Sequence, residues 1–450
     1  MRSGESAVAP PRASGCYSTG RKSKNGGRAL ATSEAAQRTE LLRLVTCGSV
    51  DDGKSTLIGR LLFDTKQIFV DQLEHIEDVS RRRGHEYVDL ALLTDGLRAE
   101  REQGITIDVA YRSFVTPRRR FQLADAPGHV QYTRNMVTGA STAELGIVLV
   151  DARQGVVEQT RRHAYILSML RVPHAVVAVN KMDLVGWSHE RFDEIGAELT
   201  GLGLPDLCVI PISALEGDNV VERSTRMDWY DGPLLLEHLE TVEIASDRDL
   251  DSRRFPIQWV IRPISGEHHD FRGYGGQIAG GVWSPGDEVV VLPAGLRTQV
   301  ESVETIDGPL DAAIPPMSVT IRLADDLDVS RGDILADPAD PPVVARELEA
   351  RVCWMSERPL EPGARLAVKQ TTRSVRAIAD ELVSRVDVHT IEDVPAPERL
   401  ELNDIGVVRL RLAEPLCVDP YEENRATGAF VIVDEATNET IGAGMVLTAS

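Results

Sequence analysis

The chain has 450 residues, 42% of them hydrophobic and only 5% aromatic, and a formal net charge of −21. That length suits about three domains, and the absence of any run of 18 or more apolar residues excludes a membrane-spanning helix. The acidic balance argues against a naked nucleic-acid binder, and the scarcity of aromatics argues against a stacking platform for single strands. Neither nucleic acid nor a membrane is expected as a partner.

Residues 1–40 are rich in Arg, Ser, Gly and Ala and lack an apolar h-region. They read as a disordered tail, with a transit peptide as the competing reading and a secretory signal excluded. The five cysteines, Cys16, Cys47, Cys208, Cys353 and Cys417, are scattered and odd in number. This points to a reduced, cytoplasmic chain without a disulfide framework or zinc site.

From residue 41 strands and helices alternate. LLRLVTCG is an apolar, β-branched run, and KSTLIGRLLFDT follows at helical spacing. GITIDVAYRSFV and RFQLADAPG read as a hairpin pair of strands. ELGIVLVDA, HAVVAVNKMD and LCVIPISAL read as three buried strands with helices between them. Strands separated by helices of this length predict a mostly parallel sheet covered on both faces, spanning residues 41–241. ASDRDLDSRR reads as a charged linker. Beyond it, short strands such as PIQWVIRP, DEVVVL and VTIRLA, broken by Gly and Pro turns, predict a first β-barrel over 253–337. ADPADPP is a proline-rich joint, and a second all-β segment spans 343–448.

The stretch GSVDDGKSTLIGRLL matches GxxxxGK[ST] through Gly48, Gly53, Lys54 and Ser55, after a strand and before a helix. In that context the residues Gly48, Ser49, Val50, Asp51, Asp52, Gly53, Lys54, Ser55 and Thr56 form a phosphate cradle of backbone N–H groups at a helix N-terminus. Lys54 supplies charge to the β- and γ-phosphates, and the Ser55 hydroxyl supplies a Mg²⁺ ligand. Thr106, in EQGITID, offers a second hydroxyl for Mg²⁺ and the γ-phosphate; on its own it is an ordinary strand threonine. DAPGH places Asp125, Ala126, Pro127 and Gly128 at a strand end. There Asp125 can reach Mg²⁺ through water, and Gly128 leaves room for a backbone N–H at the γ-phosphate. NKMD supplies Asn180, Lys181, Met182 and Asp183. The Asp183 carboxylate can accept from guanine N1–H and the 2-amino group, a donor pair that adenine lacks, so the nucleotide is GTP. Asn180 braces the loop. Ser213, Ala214 and Leu215 offer a backbone N–H to guanine O6. His129 is read as the residue that orients the attacking water; the competing reading is a surface histidine.

These motifs resemble those of the translation-factor class of GTPases: EREQGITID, DAPGH and NKMD, followed by two β-barrels. The 51-residue interval from Ser55 to Thr106 is similar to that of the archaeal and eukaryotic tRNA-carrying elongation factor. A narrower resemblance is carried by GSVDDGKSTLIGRLL, LALLTDGLRAEREQGITIDVAYR, QYTRNMVTGAS, DARQGVVEQTRRH, SALEGDNV, DFRGYGGQIA and TNETIGAGMV. Across residue 41 to the C-terminus these segments are similar to the GTPase subunit of bacterial sulfate adenylyltransferase. The resemblance implies an α/β P-loop GTPase domain followed by two β-barrel domains. It further implies GTP and Mg²⁺ as cofactors and ATP and sulfate as substrates of a reaction forming adenylylsulfate and pyrophosphate. A small sulfurylase subunit would be the partner, holding the adenylylation site in a hetero-oligomer. The alternatives are a translation factor delivering an RNA or protein to the ribosome, and a GTP-dependent chaperone or signalling module.

Some members of that family continue into an adenylylsulfate kinase domain; the sequence ends at Ser450, so kinase activity is not expected. A few extra residues precede the DFRGYGG motif. Among them Glu267, His268, His269 and Asp270 read as a polar loop rather than a metal site. The arginine triplets at 81–83 and 118–120 read as solvated charge.

Overall fold

The computed structural model describes residues 40–68, 74, 76, 79–81, 88, 90, 109–128, 133–244, 248–262, 271–387, 390 and 392–450. Thr106, His129, the 267–270 cluster and residues 1–39 lie outside the described residues. The chain divides into two units, Met1–Ile244 and Ala245–Ser450.

The first unit is a six-stranded sheet in the order β2-β3-β1-β4-β5-β6. Its strands are β1 (Leu41–Gly48), β2 (Ala110–Val115), β3 (Arg120–Asp125), β4 (Leu145–Asp151), β5 (His174–Asn180) and β6 (Leu207–Pro211). β2 pairs antiparallel with β3, and the other pairings are parallel. Every residue of β4 and of β5 is buried. A strand buried on both faces needs cover on both, which is why these segments read as continuous apolar runs. The described helices are α1 (Lys54–Asp64), α2 (Thr133–Ser141), α3 (Glu158–Met169), α4 (His189–Thr200) and α5 (Leu235–Thr241). α1, α2 and α3 all pack against β1, and α4 packs against β6.

One arginine of the 118–120 triplet departs from the solvated reading. Arg119 is buried and donates to the carbonyls of Leu239 at 3.0 Å and Val242 at 2.7 Å, and to Glu40 at 3.1 Å. A guanidinium suits that position because its fork satisfies orphan carbonyls at the end of α5.

The second unit holds two closed antiparallel barrels. In the first, β7 (Arg254–Ile261), β8 (Gly273–Gln277), β9 (Glu288–Leu292), β10 (Leu296–Thr305), β12 (Ser318–Leu323) and β13 (Ile334–Ala336) form a ring. The β9–β10 and β9–β13 pairings close it, and β11 (Gly308–Pro309) hangs from β10. Its core is built on Phe255, Tyr274 and Trp283. In the second, β14 (Val343–Trp354), β15 (Arg365–Gln370), β16 (Arg373–Asp387), β18 (Ile405–Val418), β19 (Ala429–Val433) and β20 (Thr440–Ala449) close through β15–β16, with β17 (Glu392–Pro395) outside the ring. Register shifts in β16 at Ala379/Glu381 and Leu382/Ser384 mark bulges that let a 15-residue strand bend round the barrel. Among the described residues no helix is long and apolar enough to cross a membrane.

The barrels meet through buried polar contacts. Arg254, in the segment read as a charged linker, instead starts β7 and is 3% exposed. Its guanidinium donates to Asp419 at 2.9 Å through both Nε and Nη2 and to the Asp340 carbonyl at 2.7 Å. The Thr427 hydroxyl donates to the same Asp419 carboxylate at 2.5 Å. Thr372 donates to the Ile257 carbonyl at 2.8 Å, and Asn424 donates to Ala279 at 3.0 Å. Asp419→Ala leaves Arg254 buried with two backbone carbonyls and, at 3.6 Å, the exposed Asp340 carboxylate. Such a variant should lose about 3–5 kcal/mol, because an uncompensated buried charge is the expensive outcome. Denaturant midpoints check this, and the double change Arg254→Met with Asp419→Leu should recover most of the loss.

Candidate functional site

β1 is central in the sheet, flanked in parallel by β3 and β4. Its C-terminal end releases the loop 48–53, which turns directly into α1. Gly53 caps that helix at φ 92°, a left-handed conformation that glycine adopts without penalty. A side chain there would also collide with Asn180, since a Cβ would lie 2.5 Å from the Asn180 Nδ2. The first turn of α1 holds Lys54 and Ser55 and no acid, so its free N–H groups and dipole face an anion unopposed from within the helix.

Lys54 is 8% exposed, and its Nζ donates to the Gly48 and Ser49 carbonyls at 3.0 and 2.8 Å. Burial lowers its pKa, while Asp125 and Asp52 pull the other way. Asp52 accepts the Ser49 N–H at 2.5 Å; burial pushes its pKa up to about 6 against the opposing charge of Lys54.

Asp125 ends β3 and is buried. The parallel register sets it beside Thr46, whose hydroxyl donates to it at 3.2 Å. The Ala126 N–H donates to the Thr46 carbonyl at 3.1 Å, so the chain leaves the sheet tied to β1. Pro127 and Gly128 follow. A Cβ at Gly128 would sit 2.6 Å from Lys54 Nζ and 2.8 Å from the Gly48 carbonyl. The segment Asp125–Gly128 thus lies against the phosphate loop at a spacing only glycine permits.

The remaining loops leave β5 and β6. Asn180 ends β5; its Nδ2 donates to the Asp52 carbonyl at 2.7 Å, and its Oδ1 accepts the Ala214 N–H at 2.9 Å. Lys181 donates to the Asp51 carbonyl and pairs with Asp151 at 3.0 Å. Burial would raise the Asp151 pKa, but hydrogen bonds from Arg153 and Lys181 prevail and hold it at about 2. Met182 is buried and opens the 3-10 turn Met182–Val185 that carries Asp183. The Ser213 hydroxyl donates to Asp183 Oδ1 at 2.7 Å. All four loops therefore stand at the carboxyl ends of strands, where open α/β sheets bind ligands. Residues 48–56, 125–128, 180–183 and 213–215 are interlinked; His129 and Thr106 fall outside the described residues.

Three contributors escaped the sequence reading. Thr46 acts through strand register, while Asp151 and Arg153, which lie in the DARQGVVEQTRRH segment, pair locally two residues apart. The third is His163 on α3, which packs against β1 and β4. It is 1% exposed, and its Nε2 lies 3.1 Å from the Gln159 amide nitrogen. Burial, then Lys54 and Arg162, lowers its pKa to about 3, so the ring is neutral.

Residues 39–245 match the elongation factor Tu GTP binding domain, and residues 347–447 match the GTP-eEF1A C-terminal domain-like family. The bifunctional enzyme CysN/CysC of Mycobacterium tuberculosis (strain ATCC 25618 / H37Rv) is 56% identical over 414 residues, covering 91% of this chain and 67% of that protein. Sulfate adenylyltransferase subunit 1 of Bacteroides fragilis (strain YCH46) is 52% identical over 417 residues, covering 91% of this chain and 87% of that one. Among solved structures, sup35 complexed with GMPPNP is 26% identical and covers 92% of this chain and 95% of that one, at a TM-score of 0.43.

The buried His163 sets an acid limit. Its pKa falls from 6.5 to about 3 on folding, so the unfolded chain takes up the proton first and stability declines as pH drops below 6.5. Between pH 7.5 and 5 this one group should remove about 2 kcal/mol. His163→Gln should flatten that part of the decline, read as urea midpoints at the two pH values; an unchanged slope would show that His163 is not the responsible group.

Proposed function

The chain belongs to the sulfate adenylyltransferase subunit 1 family, and we propose on that footing that it is the GTP-hydrolysing subunit of a sulfate adenylyltransferase. In this reading it acts in the cytoplasm and couples GTP hydrolysis to formation of adenylylsulfate and pyrophosphate from ATP and sulfate. The relatives at 56% and 52% identity support the sulfate part of the reading, and the GTP part rests on Asn180, which ties the phosphate loop to the base loop while Ser213 holds Asp183.

The residues present fit GTP. The first turn of α1 is free of acids, Lys54 is already desolvated, and position 128 has room for nothing larger than glycine. The N–H groups of 49–56 and Lys54 bind the phosphates. Asp183 reads guanine N1–H and the 2-amino group, and the 213–215 loop reads O6. Ser55 and Thr106 would hold Mg²⁺, which neutralises phosphate charge when bound. His129, directly after Gly128, orients the attacking water. His129→Ala should leave GTP binding near normal while single-turnover hydrolysis falls by about tenfold or more, the scale of losing a proton-handling or positioning group. Undiminished hydrolysis would remove His129 from that role.

A separate small sulfurylase subunit is the proposed partner and holds the adenylylation site. A catalyst without an energy input only speeds the approach to a fixed endpoint. The chain with its partner, given ATP, sulfate, Mg²⁺ and GTP, should therefore accumulate adenylylsulfate beyond the GTP-free endpoint. A non-hydrolysable GTP analogue should leave the endpoint where it was, and Lys54→Ala should abolish the excess. Adenylylsulfate is measured at long times with pyrophosphate retained. Equal endpoints with GTP and the analogue would sink the coupling and favour the delivery-factor alternative.

A further inference from the structure

Arg60 lies on the helix that begins with the phosphate-binding Lys54 and Ser55, about a turn and a half further along. Its Nε donates to the Ala214 carbonyl at 3.1 Å, and its Nη2 donates to the Leu215 carbonyl. Asp64 lies 3.6 Å from Nη1, and the guanidinium carbon lies over the Phe63 ring, 5.8 Å from its centroid. The side chain as a whole is 18% exposed, and its donors are directed at these two carbonyls.

A trans peptide is planar, with its C=O and N–H pointing in opposite directions. Pinning the Ala214 carbonyl therefore directs the N–H of Leu215 away from α1. Pinning the Leu215 carbonyl likewise directs the N–H of Glu216, which donates to Ser213 Oγ at 3.2 Å. That hydroxyl donates in turn to Asp183 Oδ1 at 2.7 Å. One guanidinium thus orients a loop N–H and, through two further hydrogen bonds, the carboxylate beside it.

We propose that Arg60 is a positioning residue for guanine recognition: by clamping the carbonyls of Ala214 and Leu215 to α1 it aims both the 213–215 loop and Asp183 at the base. The inference rests on the GTP-site reading above and adds to it a residue that touches neither phosphate nor base. It also links the two halves of the site, because the helix that starts at the phosphates holds the loop that reads the base.

The test compares dissociation constants for GDP and for purine riboside diphosphate. The analogue keeps the ribose and phosphates and lacks the 6-oxo, N1–H and 2-amino groups. Arg60→Met keeps an apolar stem and deletes every donor. It should weaken GDP about tenfold, the order expected for hydrogen bonds to a charged group. The analogue should hardly change, so discrimination falls by that factor. Arg60→Lys, with one compact donor group, should recover part of it and serves alone should Arg60→Met fail to fold. An equal loss for both nucleotides, or undiminished discrimination in either folded variant, overturns the inference. Equal binding of both nucleotides by the unaltered chain overturns the guanine site itself and the inference with it.

Discussion

The nucleotide-site half of the molecule depends on one primary amide. Asn180 is 2% exposed, and both ends of its side chain are engaged, Nδ2 by the Asp52 carbonyl and Oδ1 by the Ala214 N–H. Only Asn and Gln offer a donor and an acceptor on one uncharged carboxamide fork, and Asn does so on the shorter stem. Losing it would orphan a carbonyl and an N–H in a shielded place, at about 1–3 kcal/mol for each unsatisfied group. Its position also explains Gly53 twice over: the backbone turns left-handed there, and the space a Cβ would take is already filled by the Asn180 amide. The loops from β1, β5 and β6 are thereby built as one piece before any ligand arrives.

Much of this was legible in the sequence because backbone chemistry forces certain residues at strand ends. Gly53, Gly128, Asn180 and Asp183 stand where a loop must turn, make room or bridge, and each short motif is the record of one such demand. The alternation of buried strands and helices likewise announces a covered parallel sheet, and the Gly- and Pro-punctuated strands announce barrels. What escaped depends on register. Thr46 meets Asp125 across 79 positions, Arg60 meets Ala214 across 154, and Arg254 meets Asp419 across 165. Periodicity assigns a residue to a face and is silent on which residue of another strand will lie beside it. Arg119 departs from the solvated reading for the same reason. A local run of charge signals solvent unless a distant carbonyl or carboxylate comes to meet it.

In the second unit the same logic runs through charge. Each barrel has its own apolar core, and a small cluster of Val290, Leu292, Ile334, Ala336 and Cys417 joins them. So small an apolar seam confers little orientation by itself, since hydrophobic contact is non-directional. Direction comes from Arg254, whose fork is matched by Asp419 and the Asp340 carbonyl; Arg253 pairs with Asp287 at 2.9 Å and Asp337 at 2.6 Å inside the first barrel. Buried ion pairs are costly to assemble. Here the Arg254–Asp419 pair specifies how one barrel docks on the other.

Lys54 gives the proposed GTP cycle its asymmetry. In the structure its ammonium is held by two neutral carbonyls, with Asp125 and Asp52 nearby and burial opposing its charge. Phosphate oxygens are the stronger partners, because charge-assisted hydrogen bonds are roughly twice as strong as neutral ones. A phosphate in the cradle would therefore compete with the Gly48 and Ser49 carbonyls for Lys54, and Gly128 lies against the same ammonium, where a Cβ would come within 2.6 Å of Nζ. The contacts at the base end are made to groups other than Lys54. Asn180 grips the Asp52 carbonyl, and Asp183 is held by Ser213, and neither contact involves a phosphate partner. Loss of the terminal phosphate would then act first on the Asp125–Gly128 side, which lies against Lys54, and reach the guanine contacts less directly, through the Asn180–Asp52 tie. A partner that responds to hydrolysis should therefore take its cue from the segment that follows β3 rather than from the loops that choose the base.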